Sequence, residues 1–375
     1  MFTFGFKNMV NMNIGEIGRY LESLSPLSYQ EDYDNCGLLA GDPAWQFEKA
    51  LLCLDLTEEV MKEAVRQNCN LVISHHPFIF RGIKKLTPDQ PETRLITMAI
   101  VNNIAIYAIH TNLDNTLHGL NALVFSKLGI TDFKILDPAR GKLVKLVTFC
   151  PAGFAGKVRT AMFDAGAGAI GNYDQCSFNG EGDGTFRASA KANPFVGEKN
   201  ELHTEKETRI EVILPGFLET RVVQALLSVH PYEEVAYDIV PLGNANAQCG
   251  AGLIGKLDHP MSQPQFLEHI RKIFNIPVIR HTQLHTKKIE TVALCTGSGS
   301  FLISRAIYSG ADAYLTADLK YHEFFDAEKR LLLADIGHYE SEQWVKEWLY
   351  DALIEKFPTF AFLISEVNTN PVHYF

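Results

Sequence analysis

The stretch Leu71-Val72-Ile73-Ser74-His75-His76-Pro77 joins a short apolar run directly to two adjacent histidines and a proline. Short continuous apolar runs are typical of strands buried on both faces of a parallel sheet, although periodicity alone does not exclude a buried helix. Adjacent histidines point in different directions in a regular strand, so they can share a site only if the chain turns there. Pro77 favours such a turn, because it fixes its own φ and moves His76 away from helical backbone.

Two other segments repeat this order of an apolar run followed by metal-ligating residue types. Residues 104–109 lead into His110-Thr111-Asn112-Leu113-Asp114, and residues 331–334 lead towards Gly337-His338-Tyr339-Glu340-Ser341-Glu342. Ligand sites in open α/β sheets lie at the carboxyl ends of strands, so we expect the three segments to meet in one crevice. The spacing of four within each His/carboxylate pair places both side chains on one face of a helical turn.

Together these segments offer more ligands than one metal ion needs, which predicts a two-metal site. Imidazole combined with carboxylate suits borderline divalent ions such as zinc, iron, manganese or cobalt, whereas an all-oxygen set would indicate calcium or magnesium. A carboxylate such as that of Glu342 can span two ions about 3.5–4 Å apart, the separation common in two-metal hydrolytic sites. A single histidine after a strand is more often a hydrogen-bonded structural residue, and for His110 that alternative stays open.

Composition and charge restrict the class of function. The chain has 375 residues, of which 46% are hydrophobic and 21% charged, as is ordinary for a soluble globular protein of two or three domains. Its formal net charge of -10 disfavours nucleic acid as a primary partner. We expect neither a membrane span nor, in residues 1–12, a signal peptide. The seven cysteines form no C-x-x-C pair, and we expect them to be reduced in a cytoplasmic protein.

The order of predicted elements divides the chain into three parts. Residues 1–138 and 249–375 alternate strand and helix signals, which predicts an α/β layered domain in two halves. Residues 139–248 follow a β-α-β, β-α-β order, which is typical of a ferredoxin-like α+β domain, and include a Gly- and Asn-rich stretch at 166–200 suited to turns and hairpins. We expect this middle part to be an insert, with the metal site shared between the two flanking halves.

The periodicity and capping signals also predict individual helices. Thr57 is the expected N-cap of one of them, and Gly129 the expected end of another. The predicted helices span residues 14–24, 57–67, 91–102, 120–128, 156–165, 218–229, 263–274, 300–309 and 341–357.

Two weaker features are candidates for chemistry. Thr296-Gly297-Ser298-Gly299-Ser300 joins a predicted strand to a predicted helix, where backbone N–H groups can hold a phosphate; the alternative is a tight turn with close strand–helix packing. His322 follows another predicted strand end and is a candidate proton-transfer residue, because the unperturbed pKa of histidine lies near neutrality. Its alternative is a structural role.

The motifs together resemble the NIF-three-like dinuclear metal centre family, whose bacterial members often carry the label GTP cyclohydrolase I type 2 homologue. The motifs that carry the resemblance are Asp34-Asn35-Cys36-Gly37-Leu38, Ser74-His75-His76-Pro77, His110-Thr111-Asn112-Leu113-Asp114, Thr296-Gly297-Ser298-Gly299, Lys320-Tyr321-His322 and Gly337-His338-Tyr339-Glu340-Ser341-Glu342. The sequence departs from the family pattern at Tyr33, where tryptophan is usual, and at Ala317, where glycine is usual. Neither departure removes a proposed ligand.

The resemblance implies a ligand set and an assembly. It implies that two ions are bound by His75, His76, Asp114, His338 and Glu342, with Glu342 bridging them and His110 adjacent. It also implies an insert similar to PII and CutA proteins, which ends around His230-Pro231-Tyr232-Glu233-Glu234, and a toroidal homohexamer whose metal sites face its internal cavity.

We therefore expect a metal-dependent hydrolase in which metal-bound water is the nucleophile. The substrate stays open between GTP, which the family label suggests, and a phosphorylated small molecule held at the Gly297 loop. The alternative function is a non-enzymatic protein that stores, delivers or senses metal, with the insert as a regulatory or assembly module.

Overall fold

The computed structural model of the chain describes residues 12–327 and 329–375. Residues 1–11, on which most of the expectation about a signal peptide falls, lie outside the described residues. The chain divides into two compact units, the first formed by residues up to Asp137 together with Gln248–Phe375, and the second by Pro138–Ala247. Among the described residues, no helix combines the length and apolar character that crossing a membrane requires.

The helices and strands have the following bounds. The strands are β1 (Gly37–Ala40), β2 (Lys49–Cys53), β3 (Leu71–Ser74), β4 (Ala105–Ala108), β5 (Phe133–Arg140), β6 (Leu143–Pro151), β7 (Phe178–Arg187), β8 (Leu202–Pro215), β9 (Tyr237–Leu242), β10 (Ala245–Met261), β11 (Arg280–His281), β12 (Ile289–Ser298), β13 (Ala313–Ala317), β14 (Leu332–Asp335) and β15 (Ala361–Ile364). The α-helices are α1 (Ile14–Leu24), α2 (Glu58–Arg66), α3 (Pro91–Val101), α4 (Thr111–Asp114), α5 (Leu120–Lys127), α6 (Ala155–Asp164), α7 (Glu219–Val229), α8 (Gln263–Phe274), α9 (Ile303–Tyr308), α10 (His338–Glu342) and α11 (Val345–Lys356). Short 3-10 helices lie at Leu27–Tyr29, Ala152–Phe154, Gly216–Leu218, Ser300–Leu302 and Tyr321–Ala327.

Two mixed sheets form the centre of the first unit. One has the strand order β1-β4-β3-β2-β15 and the other the order β11-β14-β13-β12-β10-β5. Strands β15, β2, β3 and β4 are parallel to their neighbours in that series, as are β12, β13 and β14. Strands β3, β4, β13 and β14 are buried along their whole length. The prediction of parallel strands from continuous apolar runs is therefore confirmed for β3, β4 and β14.

The two sheets of the first unit share one apolar core. A single buried cluster contains Leu52 and Ile73 from the first sheet, Leu294 and Leu315 from the second, and Phe125 from α5. Each of these side chains is completely or almost completely buried. Because close-packed protein interiors deform very little, this core holds the strand ends of both sheets in fixed positions.

Most predicted helices of the first unit are confirmed within a residue or two. Thr57 is the N-cap of α2, since its side chain accepts a hydrogen bond from Val60 N at 3.3 Å. The helix predicted over 300–309 begins as a 3-10 turn before α9, and the helix predicted over 341–357 is two helices, α10 and α11. Helix α10 begins at His338, earlier than predicted, because Gly337 adopts a positive φ of 84° that turns the chain directly into the helix.

The second unit contains β6, α6, β7, β8, α7 and β9 in chain order, and its antiparallel sheet has the order β7-β8-β6-β9. The stretch at 166–200 contains the long strand β7 as well as turns. Glycines at 180, 182 and 184 weaken the strand signal there. At Gly184 a Cβ atom would overlap the carboxylate of Glu207, which would have to move aside.

Candidate metal centre

The carboxyl ends of parallel strands from both sheets of the first unit surround one group of side chains. These positions are Asp55 after β2, His75 and His76 after β3, His110 after β4, Gly297 near the end of β12, Asp318 after β13 and His338 after β14. Strand ends of α/β sheets are the usual location of ligand sites. The convergence expected for the three histidine-bearing segments is thus present in the structure.

The adjacent histidines reach the same site because the strand ends before them. Strand β3 stops at Ser74, and the backbone N–H groups of His75 and His76 both donate to the carbonyl oxygen of Leu54, at 3.1 and 3.0 Å. The two ring centroids are 5.1 Å apart. The chain therefore turns where the sequence requires it to turn, and the side chains do not diverge to opposite faces.

Each of the four imidazole rings is held through Nδ1 by an oxygen atom. Because a carbonyl or carboxylate oxygen accepts, Nδ1 is the nitrogen that donates, which leaves Nε2 for another partner. The pairs are His75 with Ile109 O at 2.7 Å, His76 with Asp55 Oδ1 at 2.7 Å, His110 with Asp34 Oδ1 at 2.9 Å and His338 with Asp318 Oδ2 at 2.6 Å. This arrangement orients metal-binding histidines in many proteins.

The Nε2 atoms of three rings face the buried carboxylate of Glu342 and the half-buried carboxylate of Asp114. His75 Nε2 lies 3.7 Å from Asp114 Oδ1, while His76 Nε2 and His338 Nε2 each lie 3.0 Å from Glu342 Oε2. Two atoms of this cluster, His75 Nε2 and Asp114 Oδ1, are buried without a hydrogen-bond partner in the described part of the chain. Buried polar atoms are rarely left unpaired, so these atoms indicate a missing partner that accepts electron pairs.

The two carboxyl groups differ in charge. Burial raises the pKa of Asp114 well above its ordinary value, and the negative charge of Glu342 adds to this effect. Burial would also raise the pKa of Glu342, but His338 and His76 outweigh it and hold that pKa well below the usual range. The cluster is therefore built around one ionised carboxylate, Glu342, with a second that ionises when positive charge is supplied.

The imidazole rings also differ in charge. Burial lowers the pKa of His75 to about 3, so this ring is neutral. For His76 and His338, burial opposes protonation, but their carboxylate partners raise the pKa to about 10 and about 11. In the protein alone, the charge of Glu342 is thus balanced by protons on two rings whose Nε2 atoms are only 3.4 Å apart. A cation between these atoms would replace those protons.

Three overlapping groups of side chains have ligand atoms close enough to hold a metal ion. Within each group these atoms lie within 4.8 Å of one another. The groups are His76, His338 and Glu342; His75, Asp114 and Glu342; and His75, His76 and His110. Glu342 belongs to the first two groups, which is the position that a bridging carboxylate requires.

His110 lies beside the cluster and is also firmly held. Its ring centroid is 5.2 Å from those of both His75 and His76. Its partner Asp34 also bonds to the backbone N–H and hydroxyl of Thr111. Burial would raise the pKa of Asp34, but His110 and Thr111 outweigh it and keep that pKa well below its ordinary value. His110 thus has both a structural hydrogen bond and a place within reach of the cluster.

The Gly297 loop packs tightly against the cluster. Gly297 has a φ of +62°, and its backbone N–H donates to Ser341 Oγ at 3.0 Å. A Cβ atom at this position would overlap Glu342 Oε1. At Gly299 a Cβ atom would fall 2.5 Å from the hydroxyl oxygens of Thr316 and Tyr314. These contacts favour the tight-turn interpretation of the loop, with Ser298 bonded through its hydroxyl to Asp318.

His322 lies away from these groups. It is exposed on the 3-10 helix Tyr321–Ala327, where its ring contacts Tyr321 and Phe325. The cavity beside the cluster is lined by other residues, and His322 is not one of them within the described chain. The structure therefore gives no contact through which His322 would reach the cluster.

Sequence reasoning did not single out Asp55 or Asp318 as partners of the histidines. Asp55 Oδ2 also accepts from the Thr369 hydroxyl at 2.7 Å, so this carboxylate is fixed on both sides. The signal that could have identified them is their position in the sequence. Each aspartate follows a strand that is parallel to, and paired with, a strand that precedes one of the histidines.

The fold and this cluster define an α/β protein with a histidine and carboxylate site able to hold metal ions. The family model Duf34/NIF3 (NGG1p interacting factor 3) matches residues 12–371, and the chain belongs to this family. A Halalkalibacterium halodurans protein named GTP cyclohydrolase 1 type 2 homolog is 38% identical over 355 residues, covering 93% of this chain and 95% of that protein. A Bacillus subtilis protein of the same name is 36% identical over 368 residues, covering 96% and 98%.

A solved structure supports the same assignment. The crystal structure of a Bacillus cereus protein related to NIF3 matches with a TM-score of 0.83 and 36% identity, covering 97% of this chain and 99% of that chain. The resemblance inferred from the motifs is confirmed by these matches.

Proposed function

We propose that the protein binds two divalent metal ions and is a metal-dependent hydrolase. The observation that carries this proposal is the set of imidazoles fixed through Nδ1, which present Nε2 to the buried carboxylate of Glu342 and the half-buried carboxylate of Asp114. Among the described residues, His75 Nε2 and Asp114 Oδ1 have no hydrogen-bond partner. The proposed ligands are His75, His76, Asp114, His338 and Glu342, with His110 next to them. Their mixture of nitrogen and oxygen suits zinc, iron, manganese or cobalt.

In this proposal each residue has a distinct task. Glu342 serves both ions, because it belongs to two of the three groups of ligand atoms. Asp55 and Asp318 fix the rings of His76 and His338 and make their Nε2 atoms more basic, and so better electron-pair donors to a metal ion. Gly297 leaves the space that the Glu342 carboxylate occupies.

Two bound ions would lower the pKa of a water molecule and polarise an electrophile. The shared name of the relatives suggests GTP as a substrate, and a phosphoester is the second candidate. For the protein as a whole we propose a cytoplasmic location.

We also propose that the second unit is a ferredoxin-like insert similar to PII and CutA proteins, and that the protein assembles as a toroidal homohexamer. The element order β6-α6-β7-β8-α7-β9 and the sheet order β7-β8-β6-β9 support the first part, since both are those of a ferredoxin-like domain. Sedimentation of the purified protein tests the second part.

The test of function combines metal analysis with turnover. Protein purified without added ions is analysed for metal, loaded with each candidate ion, and assayed with GTP and with model phosphoesters. We expect Glu342→Gln to abolish turnover, and Glu347→Gln, which alters an exposed ion pair with Lys127, to leave it unchanged. Metal exchange without turnover of any substrate would favour storage, delivery or sensing of metal instead.

A further inference from the structure

The proposed metal centre forms one wall of a cavity with exposed aromatic rings. The cavity has a volume of about 650 Å³ and is lined by His76, His110, Asp114, His338 and Glu342, among others. Three aromatic side chains of the same lining are unusually exposed: Tyr33 at 70%, Phe80 at 53% and Phe301 at 67%. Rings that face a cavity in this way offer flat apolar surfaces for stacking against a planar ligand.

A buried polar group without a partner lies in the same lining. Thr296 is 5% exposed, and its hydroxyl has no hydrogen-bond partner among the residues that the structure describes. Its backbone N–H is used by Asn121 Oδ1 at 2.9 Å, so the residue is held in place. A polar atom of a bound ligand would complete the bonding of this hydroxyl, since buried polar groups are normally paired.

The cavity is lined by acidic side chains and, within the described chain, by no lysine or arginine. Five carboxylates belong to the lining, and Asp34 and Asp318 stand behind His110 and His338. The lining carboxylates are Glu31, Asp55, Glu92, Asp114 and Glu342. A polyanion placed among these carboxylates meets repulsion that an uncharged ligand does not meet.

We propose that this cavity binds a planar, uncharged heterocycle, stacked on Tyr33, Phe80 and Phe301 and hydrogen-bonded by Thr296, in preference to a nucleoside triphosphate. The inference rests on the proposed function for the position of the chemistry, and it narrows the substrate class to ring compounds without a polyphosphate tail. It departs from the substrate that the relatives' name suggests, because a triphosphate would extend into the field of these carboxylates.

Guanosine and magnesium-GTP are the probes that separate the two classes, because they share the ring and differ in the phosphates. Binding is measured by calorimetry with zinc-loaded and zinc-free protein, at low and at high salt. We expect guanosine to bind at least about tenfold more tightly than magnesium-GTP at low salt, and the ratio to shrink as salt screens the carboxylates. Zinc stoichiometry is measured separately on every sample.

Variants assign the binding to the named residues. Tyr33→Ala and Phe301→Ala each weaken guanosine binding by about tenfold or more, the usual effect of losing a stacking ring, and leave zinc stoichiometry unchanged. Thr296→Val preserves the shape but removes the hydroxyl, and it also weakens binding. Tyr308→Ala is the matched control, because Tyr308 is 79% exposed and lies outside the lining.

Each outcome decides the proposal. Tighter binding of magnesium-GTP than of guanosine, binding of neither, or variants indistinguishable from Tyr308→Ala would overturn it. Failure to bind zinc would instead refute the metal centre, and guanosine binding to the zinc-free protein would then still test the cavity. The two proposals can therefore fail separately.

Discussion

Replacing Gly297 by alanine should weaken metal binding strongly while lowering the stability of the fold only modestly. Gly297 has a φ of +62°, and the added Cβ atom would lie 3.5 Å from His338 Cε1 and would overlap Glu342 Oε1. Contacts of a Cβ atom shorter than 3.0 Å essentially never occur, so the Glu342 oxygen must move away by more than about 0.5 Å. Metal–ligand distances tolerate deviations of only ~0.2 Å, so this movement disrupts the coordination. Since Glu342 is the shared ligand, both ions are affected.

The cost in stability is modest because the overlapping group is the end of a flexible side chain. The left-handed backbone costs alanine about 1–2 kcal/mol, which lowers Tm by about 2–8 °C for a unit of this size. Gly310→Ala is the control, because Gly310 has a φ of +80° and nothing lies within 4 Å of the added atom. It carries the same backbone strain without touching a ligand.

The assay is metal stoichiometry and calorimetric titration with zinc, together with thermal melting of both variants. We expect Gly297→Ala to bind zinc at least about 100-fold more weakly than the unchanged protein, because displacing a ligand exceeds the 10–100-fold effect of losing an outer hydrogen bond. Gly310→Ala should bind zinc normally and melt at a similarly lowered temperature. If Gly297→Ala retains two ions with unchanged affinity, the role assigned to Glu342 is wrong.

Three further predictions concern the centre and the core. Asp55→Asn removes the carboxylate that orients His76, and titration should show zinc affinity lowered by about 10–100-fold in a folded protein. His76→Ala should lose metal yet keep a cooperative thermal melt. A ligand present at 100 times its Kd adds about 2.7 kcal/mol to the free energy of unfolding, so a chelator should lower the Tm of the unchanged protein but not that of the variant. Global unfolding of His76→Ala would contradict this prediction. Phe266→Ala empties a position that is completely buried and should reduce the free energy of unfolding by about 3–5 kcal/mol in a denaturant titration.

The buried parallel strands could be predicted from sequence because apolar runs and strand positions coincide there. The apolar run that precedes the two histidines is observed as strand β3, and His75 follows it directly. Strand β7 could not be recognised, because its glycines weaken the local strand signal and its partner strand β8 is distant in sequence. The long strand β10 is held by pairing with β12, a contact between distant residues. Long-range pairing of this kind overrides local propensity.

The candidate site shows the same division between local and distant information. The histidines and acidic residues were visible as residue types at strand ends. The partners that fix them were harder to recognise, because Asp55 and Asp318 come close to His76 and His338 only when strands that are separate in the sequence pair in a sheet. Gly297 was noticed as a possible phosphate loop, whereas in the structure its missing side chain makes room for Glu342. The residue was informative, but the sequence did not indicate which neighbour required it.

The cluster is held in position by the protein itself, before any ion is bound. The histidine-bearing segments follow buried strands of two sheets that share one core, and each imidazole has its own acceptor at Nδ1. Small metal-dependent domains gain their folding energy from the ion, because they have little core of their own. Here the core fixes the ligands, and His75 Nε2 and Asp114 Oδ1 stay buried without a hydrogen-bond partner among the described residues. Metal binding should therefore relieve local repulsion and raise stability without being required for the fold, which is why loss of metal and loss of structure can be separated by single substitutions.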